Sequence, residues 1–449
     1  MERKILLGLE KKALGMSLLA LAAVPVILAS SCTVRRVAGL SPVAAMNRQA
    51  VVEASRADLG LLTWPEQLDA VRYELELLDG IPLNLDPARE ADHALYRNSR
   101  IYSAQALLPL EELRKKQTTG ILYYRVRAFD LDGQPLGNYS QPAAVESSLR
   151  KVDRNAPVPR SRMEDTNGSL LLYPVYAYTG NPGAVQYEVE VTDRMPENPE
   201  GIAPSRYRVF AQVTSLTDLY DEAPRLGTYY WRVWGMDKEG NPVGQWSLPQ
   251  KFTTLPSRKI GVGIYGDSIS HGGGHLSFSP VDYAYSYSHY LAFPTVNLSE
   301  SGDTSAMMVE RFERDVRSFH LKYLLILGGT NSLRAGVPAE EVIQDLDEIG
   351  RKAEALGIRP IYLTLPPINP ANIQKAFDEP TADNWRQSFA QVNAYIRSRD
   401  HIDVAASFEN GGDLPTELAL DGIHGDWNMK QEMAQVINEG MKRFGVQRS

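Results

Sequence analysis

Apolar and polar positions along the chain fall into three regimes. Near the start, Arg3, Lys4, Lys11 and Lys12 precede an apolar run from about Ala13 to Leu28. From about residue 59 to 254, apolar and polar residues alternate, as in "AVRYELEL" (Ala70 to Leu77) and "AVQYEVEVTD" (Ala184 to Asp193). That period of two predicts strands with one buried face. From Ile260 the runs become almost wholly apolar: "IGVGIYG", "FPTVNLS", "YLLILGG" and "RPIYLTLPP". Helix-like segments follow them around Ser305 to Phe319, Pro338 to Leu356, Asn384 to Arg399 and Asn428 to Arg443. Strands buried on both faces and alternating with helices predict an α/β parallel sheet, helix-covered on each side. Functional residues in such sheets gather at the carboxyl ends of the strands.

The alternating region contains an internal repeat. "GILYYRVRAFDLDGQPLGNYSQP" begins at Gly120 and "GTYYWRVWGMDKEGNPVGQWSLP" at Gly227, 107 residues later and without a gap. Arg125 matches Arg232, Asp130 matches Asp237, Gly133 matches Gly240, and Tyr139 matches Trp246 by type. Two copies predict two like all-β domains of roughly 100 residues each, the size of a sandwich. Both resemble fibronectin type III or related immunoglobulin-like sandwiches, over 59–150 and 151–256. Their aromatic stripes are expected to serve the core and spacing rather than a sugar-binding face.

At 449 residues the chain is too long for a single core, and 43% hydrophobic with 23% charged residues describes a folded, water-soluble body. A formal net charge of -8 excludes nucleic acid as the expected partner, since phosphate binding requires a basic field. The single cysteine, Cys32, ends "LASSC" behind the charged and apolar leader, a run short for a bilayer span. This segment resembles the lipobox of bacterial lipoproteins, with Ala29 where Leu is usual. The resemblance implies a signal peptide over 1–32, lipidation of Cys32 and a lipid-anchored place in the cell envelope, facing periplasm or exterior. Residues 33–58, polar and alanine-rich, are expected to be a linker. With Cys32 at the tether, the mature body holds no disulfide.

Three apolar runs of the last regime end in glycine-bearing polar turns: Gly266-Asp267-Ser268, Ser301-Gly302-Asp303-Thr304 and Gly329-Thr330-Asn331. Near the end stands "LDGIHGDWN", with Asp421 three residues before His424. A serine hydroxyl needs a base to become a nucleophile, and a base needs an orienting acid. His424 and Asp421, spaced to meet across one turn, supply both. The four blocks in this order resemble the SGNH (GDSL) hydrolase superfamily, over residues 257–449. The resemblance implies a three-layer α/β hydrolase domain and a serine esterase with the triad Ser268, His424 and Asp421. It also implies an oxyanion hole from the backbone N–H of Ser268, the backbone N–H of Gly302 and the side-chain amide of Asn331. Ser332 departs from the family's frequent Asp, and Ser299 from its frequent Gly.

His271 and His275 follow Ser268 closely, but neither belongs to a cluster with metal-ligand spacing, so no metal and no cofactor is expected. Both are assigned to the rim or to structure. The stretch "HLSFSPVDYAYSYSHYLAFP" offers Tyr283 and Tyr285 as substrate-binding aromatics, with helix packing as their other reading. Export, a tether and two sandwich spacers suit an enzyme acting on an acylated carbohydrate or another small ester. A lipase, phospholipase or thioesterase on the same fold, or an inactive glycan-binding surface protein, are the competing expectations.

Overall fold

The computed structural model describes residues 58–199, 201–275, 278–409 and 412–446. The leader, Cys32 and nearly all of the 33–58 linker lie outside the described residues. Among the described residues no helix is long and apolar enough to cross a membrane.

The alternating regime forms antiparallel sheets in two units. In the first, the strands Arg72–Asp79 and Leu122–Phe129 pair centrally in a four-stranded sheet, and Leu59–Thr63 is the middle of a three-stranded one. The two sheets share one core through Leu62, Leu108, Leu75, Leu77 and Tyr124. The second unit repeats the plan: Gln186–Thr192 pairs with Gly227–Met236, and Val175–Thr179 lies in the facing sheet. Val189, Val233, Trp231 and Tyr176 fill its core.

The repeat seen in the sequence is a repeat of interactions. Arg125 Nε donates to Glu76 at 2.8 Å, and Arg232 Nε donates to Glu190 at 2.6 Å. The guanidiniums lie 4.0 and 4.6 Å from the rings of Tyr139 and Trp246. Both ion pairs are buried, so each arginine is also bound to backbone carbonyls, as a desolvated charge requires. The following hairpins match as well. Asp130 and Asp237 each accept from the glycine three residues on, at 3.1 Å in both copies.

The last regime builds a six-stranded parallel sheet in the order His401–Ile402, Arg359–Leu363, Tyr323–Leu327, Val262–Gly266, Thr295–Asn297 and Leu170–Leu171. Its four longest strands fall where the apolar runs predict them. The sixth is a departure from the expected boundary at 257: Leu170 and Leu171 leave the second β unit to pair with Val296 and Asn297. Two residues are too few to show a period, and this edge strand is fixed by tertiary pairing.

The expected helices form at Ser305–Val316, Ala339–Ala355, Trp385–Arg397 and Trp427–Lys442, joined by a shorter one at Pro370–Phe377. The starts of the first and last of the four are set by side-chain caps. Thr304 accepts from Met307 N at 3.3 Å and Asp426 from Met429 N at 2.9 Å. Met308, Phe312, Leu346, Ile349, Val392, Ile396, Met433 and Ile437 turn their apolar faces into one core with the sheet. A side-chain truncation at such a site costs about 2–5 kcal/mol.

Candidate active site

The central strand Val262–Gly266 ends at the serine turn. Gly266 is required there, because a Cβ would stand 1.9 Å from the carbonyl oxygen of Leu327 on the neighbouring strand. The close approach of two strands thus fixes where the chain leaves the sheet. Asp267 then caps the short helix Ser268–His271 by accepting from Ile269 N at 3.1 Å, which leaves Ser268 at the helix's first position.

His424 Nε2 lies 2.8 Å from Ser268 Oγ, and its Nδ1 lies 2.9 Å from Asp421 Oδ2. A carboxylate only accepts, so Nδ1 carries the proton and Nε2 presents its lone pair to the serine hydroxyl. Asp421 is buried and accepts further from the backbone of Ile423 at 3.0 Å and of His424 at 2.8 Å. Burial alone would raise this carboxyl, but the His424 ring and these donors outweigh it, and Asp421 is held below the ordinary carboxylate value. Asp421 therefore keeps its charge beside the His424 ring. The edge of Phe377 lies against the His424 ring, centroids 6.1 Å apart.

The three expected oxyanion donors come from three strand ends. The N–H groups of Ser268 and Gly302 donate to no acceptor among the described residues. Gly302 has φ +94°, a left-handed conformation that glycine adopts without strain, and open space around it. Asn331 is the second residue of the short helix Thr330–Arg334, and its Nδ2 donates to Asp303 O at 2.9 Å, which ties the third block to the second. Ser332, where the resembled family often has Asp, also joins these blocks: its Oγ accepts from Ser305 N at 2.9 Å.

His271 is a structural brace. Its Nε2 lies 2.9 Å from the Tyr173 carbonyl and its Nδ1 2.8 Å from Ser301 Oγ. Facing a carbonyl, Nε2 must donate, so Nδ1 accepts the serine proton. Burial pushes this imidazole down to about 4, which keeps it neutral. His275 packs edge-on against Phe278, centroids 4.9 Å apart. Among the described residues no group of three or more His, Cys, Asp or Glu is placed to hold a metal ion.

Tyr283 and Tyr285 do not form the substrate face expected from the sequence. Tyr285 is 1% exposed, stacked on Phe278 at 3.8 Å and packed against Trp427 at 5.6 Å. The Tyr283 hydroxyl donates to the carbonyl of Arg162 in the second β unit. Tyr283 thus ties the hydrolase domain to the second β unit, and Tyr285 packs within the hydrolase domain.

Two charged residues near the triad were not singled out by motif. Arg311 donates to Gly266 O at 3.0 Å, Leu298 O at 2.6 Å, Asp303 at 2.6 Å and Asp315 at 2.8 Å, pinning the first two blocks together. Lys430 is 0% exposed, and its Nζ donates to Ile269 O at 3.2 Å. Each announces itself in retrospect as a cation at an apolar helix position: Arg311 beside Met308 and Phe312, Lys430 one turn before Met433 and Ala434.

A parallel sheet with a hydroxyl at a central strand end, met by an imidazole and a carboxylate from the segment before the last helix, defines an α/β hydrolase-type domain. Residues 264–426 match the GDSL-like Lipase/Acylhydrolase family, and this part of the chain is a GDSL/SGNH hydrolase domain. Similar solved structures include a putative acylhydrolase from Bacteroides fragilis NCTC 9343, 18% identical, covering 42% of this chain and 90% of that one with a TM-score of 0.32. A GDSL-like lipase from Bacteroides thetaiotaomicron VPI-5482 is 17% identical over 42% of this chain and 91% of its own, TM-score 0.33. A catalytic mutant of an acetylxylan esterase from Geobacillus stearothermophilus is 18% identical over 41% and 95%, TM-score 0.32. No curated protein matches the chain.

Proposed function

We propose that the chain is a serine esterase that removes acetyl or other short acyl groups from carbohydrate, exported and held at the membrane by a lipid on Cys32. The observation that carries the esterase reading is the hydrogen-bonded line from Asp421 through His424 to Ser268. In this reading His424 removes the proton from Ser268 Oγ as the oxygen attacks the ester carbonyl. The N–H groups of Ser268 and Gly302 and the Asn331 amide receive the oxyanion of the tetrahedral intermediate. His424 then hands its proton to the departing alcohol, and water repeats the sequence on the acyl-enzyme.

Lys375, on the helix that also carries Phe377, pairs with Asp132 of the first β unit's hairpin at 2.5 Å, which ties that unit to the hydrolase domain. The two β units are read as fibronectin type III-like, spacing the hydrolase domain from the anchor. The charged front, the apolar run and "LASSC" support export and tethering.

The test is a panel of acyl esters offered to wild type and Ser268→Ala, with acetate release from acetylated xylan, pectin and sialic acid measured alongside nitrophenyl acetate and palmitate. Acetyl preference lost in the variant is expected. A preference for palmitate or phospholipid overturns the carbohydrate assignment, and unchanged activity of Ser268→Ala overturns the mechanism.

A further inference from the structure

The second β unit does not stop at the border of the hydrolase domain. Leu170 and Leu171 pair with Val296 and Asn297 at the edge of the parallel sheet, and Leu172 N donates to Asn297 O at 2.9 Å. Tyr173 follows at the carboxyl end of this edge, where functional residues of such sheets gather, and is 0% exposed.

The Tyr173 carbonyl oxygen accepts from His271 Nε2 at 2.9 Å, and Nδ1 of the same ring accepts from Ser301 Oγ at 2.8 Å. One neutral tautomer satisfies both bonds at once. Tyr220, also of the second β unit, lies edge-on to the His271 ring with centroids 6.1 Å apart. His271 is the last residue of the short helix that Ser268 begins, and Ser301 is the residue before Gly302. A line of hydrogen bonds thus runs from the second β unit, past the nucleophile's helix, to the neighbour of an expected oxyanion donor.

The other neighbour of Gly302 is held from the same tyrosine. The Tyr173 hydroxyl donates to Asp315 Oδ2 at 2.5 Å, and that oxygen also accepts from Arg311 Nη1 at 2.8 Å. Arg311 Nε in turn donates to Asp303 at 2.6 Å. Ser301 and Asp303 are therefore both tied to Tyr173, one through its main chain and one through its ring. Gly302 between them has open space around it and a φ of +94°, so no side-chain packing of its own fixes its N–H. A donor stabilises an oxyanion only when it is aimed before the reaction, and here the aim must come from the flanking residues.

We propose that the second β unit is part of the oxyanion site: Tyr173, through His271 on Ser301 and through Arg311 on Asp303, holds the Gly302 N–H in the direction that the developing oxyanion requires. Tyr173 and His271 are positioning residues in this scheme, since neither touches the reacting atoms. The inference rests on the esterase reading and adds a β unit to its machinery.

The experiment compares steady-state hydrolysis of nitrophenyl acetate by the full chain and by single variants of it. Ser301→Ala removes only the hydroxyl held by the imidazole. His271→Asn sets an amide oxygen near the place of Nδ1, which can still accept from Ser301 but gives up Tyr173. His271→Gln extends its amide towards the Tyr173 carbonyl and gives up Ser301. Arg160→Gln is the control: it cuts a different tie at the same seam, from Arg160 Nη1 to Asp282 at 2.9 Å.

Losing a whole oxyanion donor costs about 10²- to 10³-fold in turnover, and loosening one is expected to cost about tenfold. A fall of that size in kcat is expected in Ser301→Ala and in both His271 variants, with KM nearly constant, as for an interaction made only in the transition state. Arg160→Gln is expected to keep the wild-type kcat. Thermal melts check that each variant is folded, and Ser301→Ala carries the test if the buried His271 variants are not. Wild-type kcat in folded Ser301→Ala would overturn the proposal. So would full kcat in His271→Asn, which would show that Ser301 needs only a local acceptor, or an equal fall in Arg160→Gln, which would show that any loosening of the seam suffices. These outcomes leave the esterase reading standing, whereas a wild type that hydrolyses no ester sinks that reading and this role with it.

Discussion

Lys430 Nζ donates to the carbonyl oxygen of Ile269, so the helix that follows the base is fastened to the residue that follows the nucleophile. Burial lowers this ammonium to about 8, while Asp421, Asp267 and Asp426 around it favour the charged form. It is thus a buried cation set among the carboxylates of Asp267, Asp421 and Asp426. Lys430→Met removes both the tie and the compensating charge. A buried ion deprived of its partner costs about 3–5 kcal/mol, and a loss of that order in urea unfolding is expected. A lower kcat with little change in KM for nitrophenyl acetate should accompany it. Unaltered stability would show that Lys430 is a spectator.

Asp267 gives the fold a defined dependence on pH. Burial pushes its carboxyl up to about 7, with the Ile269 N–H acting in the opposite direction. A folded value above the unfolded one of about 3.9 means that the native state holds this proton more tightly. The stabilisation is complete below about pH 4 and is lost as pH rises through about 7, amounting to at most about 4 kcal/mol. Asp267→Asn keeps the oxygen that caps Ile269 and cannot titrate. Melting temperatures from pH 5 to pH 8 should fall less steeply in the variant than in wild type; parallel slopes would refute this account of Asp267.

Asn331 is bound through Nδ2 to Asp303 O, yet it stands at a strand end where the oxyanion is expected. If its amide turns its second hydrogen to the intermediate, Asn331→Ala should reduce kcat about 10²- to 10³-fold at nearly constant KM. A change confined to thermal stability would make it only the link between the second and third blocks.

Arg311 holds four acceptors from two strand ends and its own helix. Arg311→Met leaves Asp303 buried without its cation and Asp315 with Arg314 alone, and a stability loss of about 3–5 kcal/mol is expected by chemical denaturation. Because Gly266 immediately precedes the serine turn, activity should fall even where the variant is folded. Full activity at wild-type stability would contradict the role given to Arg311.

What could be read from the sequence followed the strength of its local signals. Three apolar runs ending in glycine-bearing turns placed Ser268, Gly302 and Asn331 at strand ends, and the Asp421–His424 spacing is the one that the hydrogen bond requires. The 107-residue repeat located the Arg125 and Arg232 strands, although only the structure shows each arginine buried on a glutamate. Interactions between distant segments left no local trace. Leu170 and Leu171 become a sheet edge because Thr295–Asn297 needs a partner, and Tyr173 reaches Asp315 at 2.5 Å across 142 residues. Tyr283 and Tyr285 looked like a ligand face because aromatics that pack the interior and aromatics that bind sugar have the same composition. Their direction is set by neighbours that periodicity does not reveal.

The central claim is that Ser268 is the nucleophile, activated by His424 at 2.8 Å. Intact-mass analysis of the protein after treatment with a fluorophosphonate tests it most directly, because such a reagent phosphonylates only a serine whose proton is withdrawn by a base. A single adduct is predicted, located to the peptide that contains Ser268, absent in Ser268→Ala and strongly slowed in His424→Ala. An adduct on another residue, or labelling that persists in Ser268→Ala, would contradict the account.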